Sequence, residues 1–320
     1  MTLGAKAEHL GMFHEAAFYS SDTEFLDIVI PFLQGGLANG TPTVVALDEQ
    51  NTELVRSAMP NDSHLSFLHD QYLRPASLIK SFQQLLTGCL SEGARQIRIL
   101  GEVPHPGVGV PWEWWARYEA TVNHVFDKSP LWALCPYDIR ITSEEVLDDV
   151  ARTHPYLATT DGRHVINNRY TRPDLFLTQQ RPAHADPIEA APPLIHLVDP
   201  MPLAARQAVR ENSPTTHLNP TDVEGLVIAV CEAVTNAICH GRPPVQLRLW
   251  TSPDRMVVTV TDHGAGPTDP FAGLLPSATG PPGGLGLWLI HQLCNLVTLD
   301  KFEESFTIRL VAGNPTTTPH

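Results

Sequence analysis

The stretch CEAVTNAICHG at residues 231–241 decides how the second half of the chain is read. Glu232, Asn236 and His240 are spaced four apart, which on an α-helix puts them on one face. Val223, Val227, Val230, Val234 and Ile238 form an apolar stripe roughly opposite. The spacing predicts a helix with one side in a core and a carboxylate, an amide and an imidazole on the other. Thr221 and Glu224 make a T-x-x-E capping box at its start. Gly241 suits the left-handed position after the last turn, and Pro243 prevents continuation. A polar helix face is by itself usually just solvated, so its meaning depends on the sequence around it.

Downstream, QLRLW (246–250) and MVVTVTD (256–262) alternate like half-buried strands. Thr261-Asp262-His263-Gly264-Ala265-Gly266 follows, then a Pro/Gly-rich loop from Pro267 to Gly283. Gly284-Leu285-Gly286-Leu287 introduces an apolar helix at 287–297, and two strands, 297–302 and 305–311, close the domain. Upstream lie a strand at 194–198 and a helix at about 201–212. E-x-x-x-N on a helix, D-x-G-x-G after a strand and G-x-G-L opening a helix thus occur in one order. Each is weak alone; together they resemble the GHKL ATPase superfamily, whose Bergerat fold backs an antiparallel-rich sheet with helices. No long helical hairpin carrying a phosphoacceptor His precedes the domain. The resemblance is therefore closest to the anti-sigma factor and serine-protein kinase branch, and a two-component histidine kinase ranks below it.

That resemblance implies roles for particular residues. Asp262 would accept a hydrogen bond from the adenine amino group, with Gly264 and Gly266 letting the backbone approach the base. Gly284, Leu285 and Gly286 would offer backbone N–H groups to phosphates at a helix N-terminus. Asn236 would be an oxygen ligand of Mg2+ accompanying ATP. Glu232, one turn earlier, would be the catalytic residue, polarising a hydroxyl or water near the γ-phosphate. Thr307 resembles the hydroxyl that supports the aspartate through a water. His240 matches a position often held by His in this branch, but capping the helix C-terminus explains it equally well. One departure stands out: the loop 267–283 contains no Lys or Arg. Charge developing on a transferred phosphoryl group needs cationic stabilisation. The resemblance thus supports ATP binding more directly than phosphotransfer.

Residues 13–155 alternate apolar runs with helix-like segments. Strands are expected at 16–20, 43–47, 64–68, 96–100 and 131–135, with helices at 22–38, 50–59, 75–92, 113–127 and 143–152. This predicts a mainly parallel sheet covered on both faces, with ligands beyond the strand C-termini. Gly35-Gly36-Leu37-Ala38-Asn39-Gly40 lacks the Lys-Ser/Thr ending of a P-loop and reads as a helix stop and turn. Trp112, Trp114 and Trp115 either pack a helix start or wall a small-molecule pocket. His14…Tyr19, Glu24-Phe25-Leu26, Pro31-Phe32-Leu33, Gly36-Leu37, Gly101-Glu102, Cys135-Pro136-Tyr137-Asp138 and Thr153-His154-Pro155 resemble a MEDS domain over about residues 8–175. That resemblance implies a signal-input module for a small molecule, and His14, Tyr19, Glu102 and Asp138 are the candidate pocket residues.

The expected fold class is α/β throughout: a mainly parallel MEDS-like domain (8–175), a Pro/Ala-rich linker (176–193) and a C-terminal Bergerat-fold α/β sandwich (194–313). The 320 residues suit two domains, and the net charge of −14 disfavours direct nucleic-acid binding. Five scattered cysteines without C-x-x-C or zinc spacing read as reduced, in a cytoplasmic protein. No run approaches the ~18 apolar residues of a membrane span. The expected partners are a sigma factor or an anti-sigma antagonist, possession of which the branch resemblance implies, along with a homodimer. Two functional readings stand: an anti-sigma-type regulator with serine/threonine kinase activity, and a non-catalytic, nucleotide-dependent binding module.

Overall fold

A computed structural model of the chain describes residues 11–60, 64–68, 75–103, 111–179, 185–276 and 285–314. The described residues divide into two compact units: those up to Val103 with Trp112–Leu177, and Pro111 with those from Thr178 onward.

The first unit runs β1 (Phe13–Tyr19), α1 (Asp22–Ala38), β2 (Thr43–Ala46), α2 (Glu49–Ala58), β3 (Leu65–Phe67), α3 (Pro75–Ser91), β4 (Ile97–Gly101), α4 (Trp112–Val125), β5 (Leu131–Asp138), α5 (Glu144–Thr153), β6 (Tyr156–Ala158), β7 (His164–Ile166) and α6 (Pro173–Leu177). Its sheet order is β3-β2-β4-β5-β1-β6-β7, parallel except for β7. The central strands are buried on both faces, as a parallel sheet between helix layers requires. Phe13, Ala17 and Tyr19 pack with Phe25, Val29 and Leu33 of α1 on one face. Residues of opposite parity, beginning with His14, face the other way.

Two sequence readings need correction here, and a third, given as alternatives, is decided. Gly35 and Gly36 do not stop the helix; they lie inside α1. A Cβ on Gly36 would overlap Thr43 Oγ1, and one on Gly35 would stand 2.8 Å from the Arg98 guanidinium. Arg98 is buried, donates to Phe32 O at 2.5 Å and lies 4.3 Å over the Trp132 ring, so the glycines make room for a sequestered cation. The turn itself falls at Gly40, with φ +62. The three-residue strands β6 and β7 were missed because they are too short for an alternation signal. The tryptophans settle as packing: Trp114 and Trp115 are buried in α4, and Trp112 Nε1 donates to Asp149 Oδ2 at 3.0 Å.

The second unit contains a 3-10 turn (Pro187–Ala190), β8 (Ile195–Val198), α7 (Pro202–Asn212), α8 (Pro220–His240), β9 (Gln246–Ser252), β10 (Arg255–Asp262), α9 (Gly286–Leu293), β11 (Leu296–Lys301) and β12 (Phe306–Gly313). The five strands form an antiparallel sheet, β11-β12-β10-β9-β8. Asp262 lies against Gly241 at the end of α8, so Met256, Val258 and Val260, in step with it, face the helices. On the opposite face Arg309 is buried, with Nε 2.5 Å from Glu189 Oε1 and Nη1 2.5 Å from Asp300 Oδ2. Residues 186–191, read as linker, are thus pinned to this sheet: Arg255 pairs with Asp186 at 3.0 Å, and Trp250 Nε1 donates to Ala191 O at 2.8 Å. Pro/Ala composition concealed two acidic side chains with arginine partners on the sheet.

The central helix also differs in detail. Asn219 caps it by accepting from Asp222 N at 2.8 Å, with Pro220 at the first helical position, while Glu224 pairs with Arg210 instead of closing a capping box. Val227, Val230 and Val234 are buried, but Ile238 is exposed. The last apolar helix ends at Leu293, not 297, because Leu296–Lys301 pairs with β12. By length and composition α8 could cross a membrane, with mean hydropathy 1.4, although no such run was expected. Here it packs against α7, α9, β10 and β12.

Candidate functional site

In the second unit the candidate site is built on α8. Glu232 and Asn236 are half-buried and face the first residue of α9. A Cβ on Gly286 would stand 3.0 Å from Glu232 Oε2 and 3.3 Å from Asn236 Nδ2. The carboxylate, the amide and a helix N-terminus therefore share one space, and glycine keeps it open. Leu285, the N-cap residue of α9, is exposed and makes no side-chain capping bond. Gly284 and residues 277–283 of the expected lid lie outside the described residues.

The other end of the site is built on Asp262. Its buried carboxylate accepts from Gly264 N at 2.5 Å and Arg242 N at 3.2 Å, both through Oδ1. Oδ2 is left for other partners. Gly241 has φ −85, so it is not the left-handed cap expected. Glycine is needed there because a Cβ would overlap the Asp262 carboxyl. Gly264 has the same reason: its Cβ would lie 2.6 Å from Asp262 Oδ1 and 2.9 Å from Gly241 Cα. Gly266 does use the left-handed region, with φ +68, and the Phe306 ring packs against it. From Glu232 to Gly241 is about 13 Å of helix at ~1.5 Å per residue. Asn236 and Glu232 are hard oxygen donors beside backbone N–H groups, a set that fits Mg2+ and phosphate.

Two predicted residues fall elsewhere. Thr307 pairs in register with Thr261, and their hydroxyls are 2.8 Å apart. That places Thr307 on the sheet face away from the helices, out of step with Asp262. The residue opposite Asp262 is Phe306, which the sequence reading passed over. Its place could have been found by counting back the alternation of β12. His240 is exposed on the last turn of α8, beyond Glu232 and Asn236.

In the first unit the predicted pocket residues divide. His14 and Glu102 line one cavity of about 50 Å³ between the sheet and α3 and α4, with Phe82, Tyr118 and Phe126. Tyr19, on the other face of β1, reaches the same region at the strand ends: Asn51 Nδ2 donates to Tyr19 Oη at 3.2 Å and to Glu102 Oε2 at 3.1 Å. Burial, then Asp48, pushes the Glu102 carboxyl up to about 7. Asp138 is held instead by Arg140 at 2.6 Å, in a surface network with Asp22. The cavity also exposes Glu119 and Cys135, which the sequence reading did not group with His14.

Residues 13–155 match the MEDS family (methanogen/methylotroph, DcmR sensory domain), and residues 199–311 match the histidine kinase-like ATPase domain. The first unit thus matches the MEDS family and the second the histidine kinase-like ATPase family, each over less than half of the chain. Comparison with curated proteins gives no match. Among solved structures, the RsbU and RsbW domains of Rv1364c from Mycobacterium tuberculosis align at 18% identity over 39% of this chain, with a TM-score of 0.29. The chain covers 33% of that structure's length. The histidine kinase domain of the E. coli osmosensor EnvZ aligns at 19% identity over 41% of this chain and 94% of its own, with a TM-score of 0.25. The candidate site along α8 belongs to the ATPase-like unit, and the cavity beside His14 to the MEDS unit.

Proposed function

We propose that the ATPase-like unit binds ATP with Mg2+ at the site along α8 and acts as an anti-sigma-type regulator. In this reading it phosphorylates a serine or threonine of an anti-sigma antagonist, and a small molecule in the MEDS cavity biases the switch. The observation that carries it is the convergence of Glu232 and Asn236 on Gly286, with Asp262 fixed by two backbone N–H groups at the far end. Asp262 Oδ2 would accept from an adenine amino group, and Asn236 would hold Mg2+, which neutralises phosphate charge. Glu232 would accept the proton of the attacking hydroxyl.

A specific observation favours the second reading, nucleotide-dependent binding without transfer. The loop 267–283 has no cation, and Arg309 is committed to Glu189 and Asp300 on the opposite face of the sheet. Single-turnover incubation with labelled ATP and a candidate antagonist separates the two. Label on the antagonist that disappears with Glu232→Ala supports the kinase. Retained ATP binding with no transfer refutes it in favour of the binding module.

A further inference from the structure

Inside the MEDS unit, four metal-ligand side chains from distant parts of the sequence meet. His14 and Cys135 stand on one face of the adjacent parallel strands β1 and β5. Glu119 comes from α4, and His154 follows α5. All four are buried, and their ligand atoms lie within 4.8 Å of one another.

The hydrogen bonds around the cluster fix which atoms point inward. Asn123 Nδ2 donates to Glu119 O and Thr153 O, so its Oδ1 must accept the proton of His14 Nδ1, 3.1 Å away. His154 Nδ1 donates to Val150 O at 2.8 Å. Both imidazoles therefore turn an Nε2 lone pair toward the centre. Tyr137 donates to Glu119 Oε1 at 3.3 Å, leaving Oε2 inward. With neutral imidazoles the centre thus presents two Nε2 lone pairs, a carboxylate oxygen and a thiol. His154 Nε2, fully buried, has no hydrogen-bond partner among the described residues. So many acceptors facing one another in a core call for a cation.

The spacing suits one. Zinc bonds of ~2.05 Å to nitrogen or oxygen and ~2.3 Å to sulfur give tetrahedral edges of about 3.3 and 3.6 Å. His14 Nε2 is 3.3 Å from Glu119 Oε2 and 3.4 Å from Cys135 Sγ, and His154 Nε2 is 3.5 Å from Glu119 Oε2. We propose that His14 Nε2, His154 Nε2, Glu119 Oε2 and Cys135 Sγ bind one divalent transition metal of the zinc class at the wall of the MEDS cavity. Sulfur and imidazole donors select this class over Mg2+ or Ca2+. On binding, Cys135 releases its proton to solvent, and the thiolate with the Glu119 carboxylate balances the two positive charges. The donors to backbone and Asn123 are the outer shell that holds imidazole ligands in place. His14, Glu119 and Cys135 line the cavity, so the metal faces the space where a small molecule would enter.

The test uses the full chain stripped with a chelator and titrated with Co2+, then Zn2+. One equivalent of Co2+ with a thiolate-to-cobalt absorption, displaced by Zn2+, is expected. Cys135→Ser should lose that absorption, and His154→Gln should lose stoichiometric binding. Asn123→Ala, a positioning change, should weaken affinity about 10- to 100-fold. If Cys135→Ser fails to fold, the wild-type spectrum, the rise in wild-type Tm with Zn2+ and the His154→Gln titration still decide. A folded, stripped chain that takes up no stoichiometric Co2+ overturns the proposal. So does binding with an unchanged spectrum in the variants.

Discussion

Asp262 offers a way to separate a ligand-binding role from an architectural one, because the structure dictates how a replacement side chain must sit. Its Oδ1 accepts from Gly264 N and Arg242 N. In Asp262→Asn the amide oxygen has to take that place, since the amino group cannot accept. The amino group is then forced to the place where the acceptor Oδ2 had been. The loop keeps both hydrogen bonds, weakened from charge-assisted to neutral, at a cost of about 1–3 kcal/mol in stability. ATP instead meets a donor opposite its adenine amino group. Losing one charged hydrogen bond and opposing two donors costs about 2–4 kcal/mol, or roughly 30- to 1000-fold in Kd. Asp262→Ala should behave differently. It strands the buried Gly264 N–H at about 1–3 kcal/mol and the part-buried Arg242 N–H at less, so its unfolding free energy should fall by roughly 1–4 kcal/mol. Calorimetric titration with Mg-ATP and urea unfolding of both variants measure the two effects. Wild-type affinity in the Asn variant would remove Asp262 from base recognition. An Ala variant no less stable than the Asn one would refute the reasoning about the loop.

Other perturbations follow from the same geometry. Gly286→Ala places a methyl 3.0 Å from Glu232 Oε2 and 3.3 Å from Asn236 Nδ2, so Mg-ATP affinity should drop with little change in Tm. Arg309→Ala leaves Glu189 and Asp300 as buried charges without their partner, and unfolding in urea should show a loss of about 3–5 kcal/mol. For Glu102 the folded carboxyl titrates at about 7, above its unfolded value, so the folded state holds the proton longer. Its contribution to stability is therefore present below the unfolded value and lost as pH rises to about 7. Asp48 and Asp138 add to this, and Asn51 opposes it. Thermal melts of Glu102→Gln against wild type should show a shallower decline in Tm over that window.

Long elements with strong periodicity were readable from sequence: the central strands and amphipathic helices of both units lie within a few residues of their expected places. So was the shared helix face of Glu232 and Asn236, because four-residue spacing on a helix maps directly onto one face. What failed were inferences that depend on a neighbour from elsewhere in the chain. Gly241 was assigned to a left-handed turn because that is the commonest local reason for glycine after a helix. The actual reason, the Asp262 carboxyl, lies twenty-one residues on and across a hydrogen-bonded loop. Gly36 was misread in the same way, its reason being Thr43 and Arg98. Thr307 was placed by motif position, whereas strand alternation and the Thr261 pairing decide its side.

The buried cluster shows the same limit at its most extreme. Zinc spacing in sequence works when ligands share one turn or hairpin. His14, Glu119, Cys135 and His154 have no such spacing, so a search for C-x-x-C or H-x-x-x-H passes over them. Their meeting depends on β1 lying beside β5, a crossover that brings together strands more than a hundred residues apart. It depends also on Asn123, whose two donated bonds turn His14 toward the centre. Neither is visible before the topology is known. In the ATPase-like unit Glu232 and Asn236 share one helix, and local spacing suffices to put them on one face. In the MEDS unit the candidate site is assembled by the sheet itself, so the order of its strands had to be known first.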